Sequence, residues 1–345
     1  MSLAAPGPLN LVTDVAGLRV GQAQDAATRS GVTVILADDR AVCAVDVRGG
    51  APGTRETDAL APENLVDEAD AVVLSGGSVY GLAAADGVTA VLGAAEKGYR
   101  LAAVAGVPPS PIVPAAILYD LANGGAKDWG ESPPYRDLGM AAAKSAGVQF
   151  ALGSAGAGLG AMAGRLKGGV GSVSVVSEDG FTVGAIVAVN SFGSVAAPGG
   201  RSFWAAPYEI GGEFGGLGSA GLAAAPDDWG LSKGQPGLGP LRANTTIACV
   251  ATDAILTPAE AKRVAIMAQD GLARAIRPAH APFDGDVVFA LATGTRALGE
   301  RRMLDVARLG ALAADCLARA IARGVYEATP LPFPGAKPSW RQRYG

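Results

Sequence analysis

The chain holds a single histidine, His280, among 345 residues. A Ser-His-Asp relay or a His-rich zinc site would have to be built around that one ring, so most familiar hydrolase designs are disfavoured before any motif is read. Cysteine is almost as scarce. Cys43, Cys249 and Cys316 lie far apart in apolar surroundings with no C-x-x-C pair, which reads as reduced core thiols in a cytoplasmic protein. Charge is thin as well: 17% of residues are Asp, Glu, Lys or Arg, against about a quarter in an average protein. Lys and Arg number 28 and Asp and Glu 32, a net charge of −4 with no basic run, so no nucleic-acid partner is expected. No stretch approaches the roughly eighteen consecutive apolar residues of a membrane span. The start, Met1-Ser2-Leu3-Ala4-Ala5-Pro6, lacks the basic and apolar regions of a secretory signal.

What is abundant is apolar and small. Apolar residues make up 49% of the chain and glycine fills 50 positions. A compact, heavily buried, oligomeric protein is the expectation, long enough for one large domain or two ordinary ones. Residues 32–36 and 41–47 read as short strands, and 71–74 as a buried strand that Ser75-Gly76-Gly77-Ser78 turns into an Ala-rich helix over 79–97. A second helix is expected over 138–146. Residues 172–176 and 182–189 read as paired strands around Glu178-Asp179-Gly180. From 193 to 240 the sequence is dense in Gly, Pro and Trp with little periodicity, a length of loop that is often functional, mobile or processed.

Order then returns as strand, helix, strand, helix. Residues 245–251 are β-rich. Thr257-Pro258-Ala259-Glu260 is a capping box, and its helix puts Ala261, Val264, Ala265, Ala268, Leu272 and Ala275 on one stripe. Residues 286–293 form the next strand, and a last helix over 302–323 is expected to stop at Gly324. Two strands joined through a helix run parallel, so their N-terminal ends share one sheet edge. Thr245 and the Asp284-Gly285-Asp286 turn are therefore expected to face each other.

Each candidate constellation has a plain alternative. Asn244-Thr245-Thr246 either ends a loop and begins a strand, or carries an N-terminal nucleophile. In the second case the Thr245 hydroxyl attacks the carbonyl of Asn244, the peptide shifts to an ester, and hydrolysis frees a new N-terminus. Its α-amine, titrating near pH ~8, would then serve as the base, so no histidine is needed. Asp284 and Asp286 are either an ordinary turn or carboxylates that orient the threonine and balance charge as its proton moves. Two carboxylates without further ligands do not define a metal site, and no cofactor is expected. The run Gly153-Ser154-Ala155-Gly156-Ala157-Gly158-Leu159-Gly160 lacks the ending of a phosphate loop and is better read as close backbone packing. By residue type alone Lys167 is a loop cation, Asn190 a turn former and Tyr119 a core aromatic.

Together these segments resemble the L-aminopeptidase/D-amidase-D-esterase family of self-processing N-terminal-nucleophile hydrolases, which includes β-peptidyl aminopeptidases and the nylon-oligomer (6-aminohexanoate-oligomer) endohydrolase. The resemblance is carried by DVRGGAPGTRETD (46–58), LSGGSVYGLAAADGV (74–88), PIVPAAILYDL (111–121), LKGGVGS (166–172), GAIVAVNSFG (184–193), NTTIACVATDA (244–254) and PFDGDVVFALAT (282–293). It implies a four-layer αββα sandwich as a single domain over 1–345. It also implies self-cleavage between Asn244 and Thr245 into pieces 1–244 and 245–345 that stay associated. Carried over by motif, Thr245 is the nucleophile, Asn190 holds the oxyanion, Tyr119 lines the site, and Asp284 and Asp286 form the supporting pair. Threonine with two aspartates is closer to the nylon-oligomer branch, because the well-known aminopeptidases use serine with a Ser/Glu pair. The N-terminal half follows the generic aminopeptidase pattern. In some relatives the catalytic lysine directly follows a glycine near the position of Arg165. Arginine cannot release a proton near neutral pH, so that role falls to Lys167.

The expectation is a cytoplasmic, cofactor-free amidohydrolase that cleaves small peptides, amino-acid amides or ω-amino-acid oligomers through an acyl-threonine intermediate. It would work as a homo-oligomer of processed pairs, with a tetramer among the candidates, and without membrane or nucleic-acid partners. The rivals are a fold-related acyltransferase and an unprocessed binding or scaffold protein.

Overall fold

The chain is described by a computed structural model covering residues 4–102, 104–220, 222–233, 244–334 and 336–345. Its strands are β1 (Leu18–Asp25), β2 (Ser30–Val47), β3 (Thr54–Arg55), β4 (Glu68–Ser75), β5 (Ala115–Ile117), β6 (Met162–Ala163), β7 (Leu166–Lys167), β8 (Val170–Val176), β9 (Thr182–Asn190), β10 (Thr245–Ala254) and β11 (Val287–Arg296). The helices are α1 (Ala83–Ala94), α2 (Tyr135–Lys144), α3 (Pro258–Ala275), α4 (Arg302–Tyr326) and α5 (Trp340–Tyr344). The main ladder runs β3-β5-β4-β2-β11-β10-β9-β8, with β1 on β2.

This ladder folds over on itself. In β2, residues 32–36 pair with β4 and residues 42–47 with β11, with an irregularity between Leu36 and Ala41. Asp38, Asp39 and Arg40 sit exposed at that bend, which is why the sequence reads as two strands where the backbone makes one. Beyond the bend the two halves lie face to face, so β4 and β5 touch β10 although β2 and β11 separate them in the ladder.

Period-2 alternation then sorts the side chains into three apolar layers. Ile247 and Cys249 of β10, Phe289 and Leu291 of β11, and Val72 and Leu74 of β4 fill the space between the two sheet halves. Ala248, Val250, Val288 and Ala290 point the other way, onto α3 and α4. Val32, Val34, Ala71 and Val73 pack on α1 and α2. Helices, sheet, sheet, helices: the four-layer αββα sandwich follows from this alternation. Cys43 and Cys249 lie in the middle layer and Cys316 in the α3/α4 layer, all buried and unbridged.

The capping box forms as expected. Thr257 Oγ1 accepts from Glu260 N at 3.3 Å, while Thr257 N donates to Glu260 Oε2 at 2.8 Å, and all six residues of the apolar stripe of α3 are buried. Helix boundaries differ from the expectation: α2 spans Tyr135–Lys144 against an expected 138–146, and α1 ends at Ala94, short of 97. The helix after Gly77 begins as a 3-10 turn over Ser78–Leu82 before α1, because Gly77 and Ser78 both take positive φ, 84° and 54°. α4 passes straight through Gly324 to Tyr326. A Cβ at Gly324 would lie 2.7 Å from Gly171 N on β8, so this glycine permits close helix-on-strand approach and is not a C-terminal stop. The stretch 193–233 forms no regular element longer than the 3-10 turn Ala206–Tyr208 among the described residues, yet it is packed: Phe203 meets Phe214 and Trp340. The part of this stretch from 234 on lies outside the described residues.

Candidate active site

β10 and β11 are parallel, with Ile247 opposite Val287, so their N-terminal ends do share an edge. Thr245 opens β10 and is 4% exposed. Across the antiparallel ladder on its other side it pairs with Asn190, the last residue of β9. Three elements thus bring Thr245, Asn190 and the 284–286 turn to one place. The Thr245 hydroxyl donates to the carbonyl oxygen of Asn244, the residue whose carbonyl carbon it would attack.

The two carboxylates are buried and held differently. Asp286 Oδ1 accepts from Thr246 N at 2.8 Å, and its Oδ2 accepts from His280 N at 3.0 Å and faces His280 Nδ1 at 2.9 Å. Asp284 accepts from Phe192 N at 3.3 Å and Ala281 N at 3.1 Å. Burial, and then the neighbouring charge of Asp286, push the Asp284 carboxyl up to about 7. The turn itself is anchored to the 48–53 loop: Arg48 N donates to Asp286 O at 3.0 Å, and Ala51 N to Asp284 O at 2.8 Å.

Asn190 is fully buried, and its side chain is oriented by main-chain groups. Its Oδ1 accepts from Met162 N at 2.8 Å, and its Nδ2 donates to Tyr119 O at 3.0 Å. Tyr119 therefore meets the site through its main-chain oxygen. Lys167 is a step further away. Its Nζ donates to the carbonyls of Gly158, Ala161 and Gly168 at 2.8, 3.0 and 2.6 Å, and β7 pairs it with Met162. It supports the strand pair that orients Asn190, and none of its hydrogen bonds reaches Thr245. Burial lowers its pKa to about 7, with Asp120 pulling the other way, while three carbonyl acceptors match the three protons of the charged form. Arg165, half-buried, donates from its main chain to Leu231 O at 2.8 Å.

Two further groups stand in the site that the sequence did not single out. Lys233 Nζ lies 3.3 Å from Asn190 O, and its main chain donates to Phe192 O at 2.9 Å. Desolvation lowers its amine to about 7 against the opposing pull of Asp284. It sits in a stretch without periodicity, where nothing but its charge could have flagged it. The second is His280, the lone histidine, whose ring Nδ1 faces Asp286 Oδ2 at 2.9 Å. Among the described residues no group of three or more His, Cys, Asp or Glu is arranged to hold a metal, and no helix is long and apolar enough to cross a membrane.

A threonine-first strand between an amide donor and a carboxylate pair suits acyl transfer. The sequence profile of peptidase family S58 matches residues 10–337. An uncharacterized aminopeptidase of Mycobacterium bovis is 46% identical, over 95% of this chain and 99% of the relative. A 6-aminohexanoate-oligomer endohydrolase of Kocuria sp. is 29% identical, over 81% of this chain and 74% of the relative. Among solved structures, a beta-aminopeptidase of Burkholderia sp. superposes with a TM-score of 0.69 at 22% identity, covering 98% of this chain and 92% of that one. The L-aminopeptidase D-Ala-esterase/amidase of Ochrobactrum anthropi, described as a variant of the Ntn hydrolase fold, gives 0.69 at 18%, covering 99% and 94%. The sandwich is thus of the N-terminal-nucleophile-hydrolase type.

Proposed function

The chain belongs to peptidase family S58, a family of peptide- and amide-bond hydrolases, and on that premise we propose that it is a self-processing N-terminal threonine amidohydrolase. The observation that carries this reading is the Thr245 hydroxyl set on the Asn244 carbonyl, opposite Asn190 and beside Asp286. Attack of Oγ1 on the Asn244 carbonyl carbon breaks the peptide bond and forms an ester. Water hydrolyses the ester and leaves Thr245 as the first residue of a 101-residue piece, 245–345.

In the processed protein the α-amine of Thr245 takes the hydroxyl proton as Oγ1 attacks a substrate amide. A free α-amine titrates near pH ~8, so it is partly neutral at working pH. The Asn190 amide then holds the oxyanion, a contribution of about 3 kcal/mol for one buried donor. The leaving amine takes the proton from the α-ammonium, and water resolves the acyl-threonine. Asp284 and Asp286 balance the ammonium charge as that proton moves. The substrates are small peptides, amino-acid amides or ω-amino-acid oligomers. The names of the relatives, aminopeptidase and 6-aminohexanoate-oligomer endohydrolase, favour that class.

The test is the denatured intact mass of purified protein together with hydrolysis of a small amide. Wild type should give two species split at Asn244/Thr245. Thr245→Ala should give one uncut species without turnover, and Thr245→Ser should retain both activities in part. A cleaved and active Thr245→Ala protein overturns the reading.

A further inference from the structure

We infer that His280 is the positioning residue for Asp286: its ring and its main chain together fix the carboxylate that stands beside the nucleophilic threonine. The inference rests on the threonine reading above and adds a residue that the reading does not use.

Asp286 is 2% exposed on its side chain and His280 26%. Both hydrogen-bonding groups of His280 converge on one oxygen, with the main-chain N–H at 3.0 Å and ring Nδ1 at 2.9 Å from Oδ2. A carboxylate only accepts, so the ring donates from Nδ1. The other oxygen, Oδ1, is left for Thr246 N at 2.8 Å. Asp286 is thereby held from two sides, by the residue that follows the proposed nucleophile and by His280.

The backbone of His280 is shaped for this. Its φ is 56°, in the left-handed region, which His, like Asn and Asp, enters more readily than most side chains do. From that conformation successive main-chain N–H groups serve the two carboxylates in turn: His280 N goes to Asp286 and Ala281 N to Asp284. With its side chain and its main chain on the same carboxylate oxygen, His280 is fixed to Asp286 at two points. The lone histidine thus enters the site as the partner of a carboxylate, with no bond to the nucleophile itself.

The experiment separates backbone from ring. Asn and Gly both accept this φ, but only Asn places a donor near the position of Nδ1. Intact mass, melting temperature, and kcat and KM on a small amide are measured for wild type, Thr245→Ala, His280→Gly and His280→Asn. His280→Gly should fold and bind with KM within about threefold while kcat falls about 100-fold, the scale of a misplaced reacting group. His280→Asn should recover at least about tenfold of that loss. Should His280→Gly fail to fold, His280→Ala gives the same contrast with His280→Asn, because Ala also lacks a side-chain donor and sets no second carboxylate against Asp286. Wild-type kcat in His280→Gly, or His280→Asn no better than the donor-less variant, overturns the inference. Thr245→Ala keeps the two readings apart. If it is inactive while His280→Gly is normal, only the role of His280 falls. If it is active, the threonine mechanism falls with it.

Discussion

Gly285 has no space for a side chain because the Thr245 hydroxyl occupies it: a Cβ built at 285 would lie 2.7 Å from Thr245 Oγ1 and 2.9 Å from the carbonyl oxygen of Ala51. The central glycine of the Asp-Gly-Asp turn is the wall against which the proposed nucleophile rests. Gly285→Ala should therefore turn the hydroxyl off the Asn244 carbonyl. Slower or absent appearance of the 245–345 piece by intact mass, in a protein that still melts cooperatively, is the expected result.

Lys233 and Asp284 form an electrostatic pair across the site, in which the lysine charge draws the aspartate below where burial and Asp286 would otherwise leave it. Removing that charge as Lys233→Met should raise the Asp284 carboxyl further above about 7. If the ionised carboxylate is the active form, the rising acid limb of the kcat/KM profile should move to higher pH. A pH–rate series on both proteins reads this directly, and an unmoved limb would detach Lys233 from the chemistry.

Asn190→Ala removes the amide that Met162 N and Tyr119 O hold in place. Turnover should fall about 10²- to 10³-fold with little change in KM, as for loss of an oxyanion donor. Steady-state kinetics on a small amide, normalised to the folded fraction read from the melting transition, separates this from a general loss of fold, which would also lower apparent turnover at unchanged KM.

At the start of α3, Thr257→Ala should cost about 1 kcal/mol in urea unfolding, the usual value of an N-cap. Glu260 closes the same box and pairs with Arg302, which holds its carboxyl down at about 2 from an ordinary 4.5. A depressed carboxylate stabilises the fold above its unfolded pKa and ceases to do so as pH falls toward the folded one. The stability gap between wild type and Glu260→Gln should thus be full above pH 4.5 and narrow progressively below it. Unfolding midpoints at pH 6 and pH 3, taken as about these values, test the sign.

The edge shared by Thr245 and Asp286 was legible in the sequence because a strand-helix-strand unit leaves little choice: parallel strands put their starts together. The stripe of α3 and its cap were legible for the same reason, since spacing alone specifies them. What escaped had no local signature. Lys233 lies in a Gly/Pro-rich stretch, where only the fold carries it to Asn190. In the sequence Gly324 stands after a helical pattern as a capping glycine would, and only the presence of Gly171 across the layer distinguishes approach from termination. The charged triplet Asp38-Asp39-Arg40 hid the continuity of β2, because a bend in a strand and a loop between strands expose the same residue types. The role of His280 was out of reach because it depends on a φ angle.

The ladder order has one more consequence. β10 and β11, which follow position 244, sit between β2 and β9, which precede it. A nick at Asn244–Thr245 therefore does not divide the protein into two modules but severs a thread inside woven cloth. Neither piece has a complete sheet alone, so the two should melt in one transition. Produced separately, they should gain structure only when they are allowed to fold together.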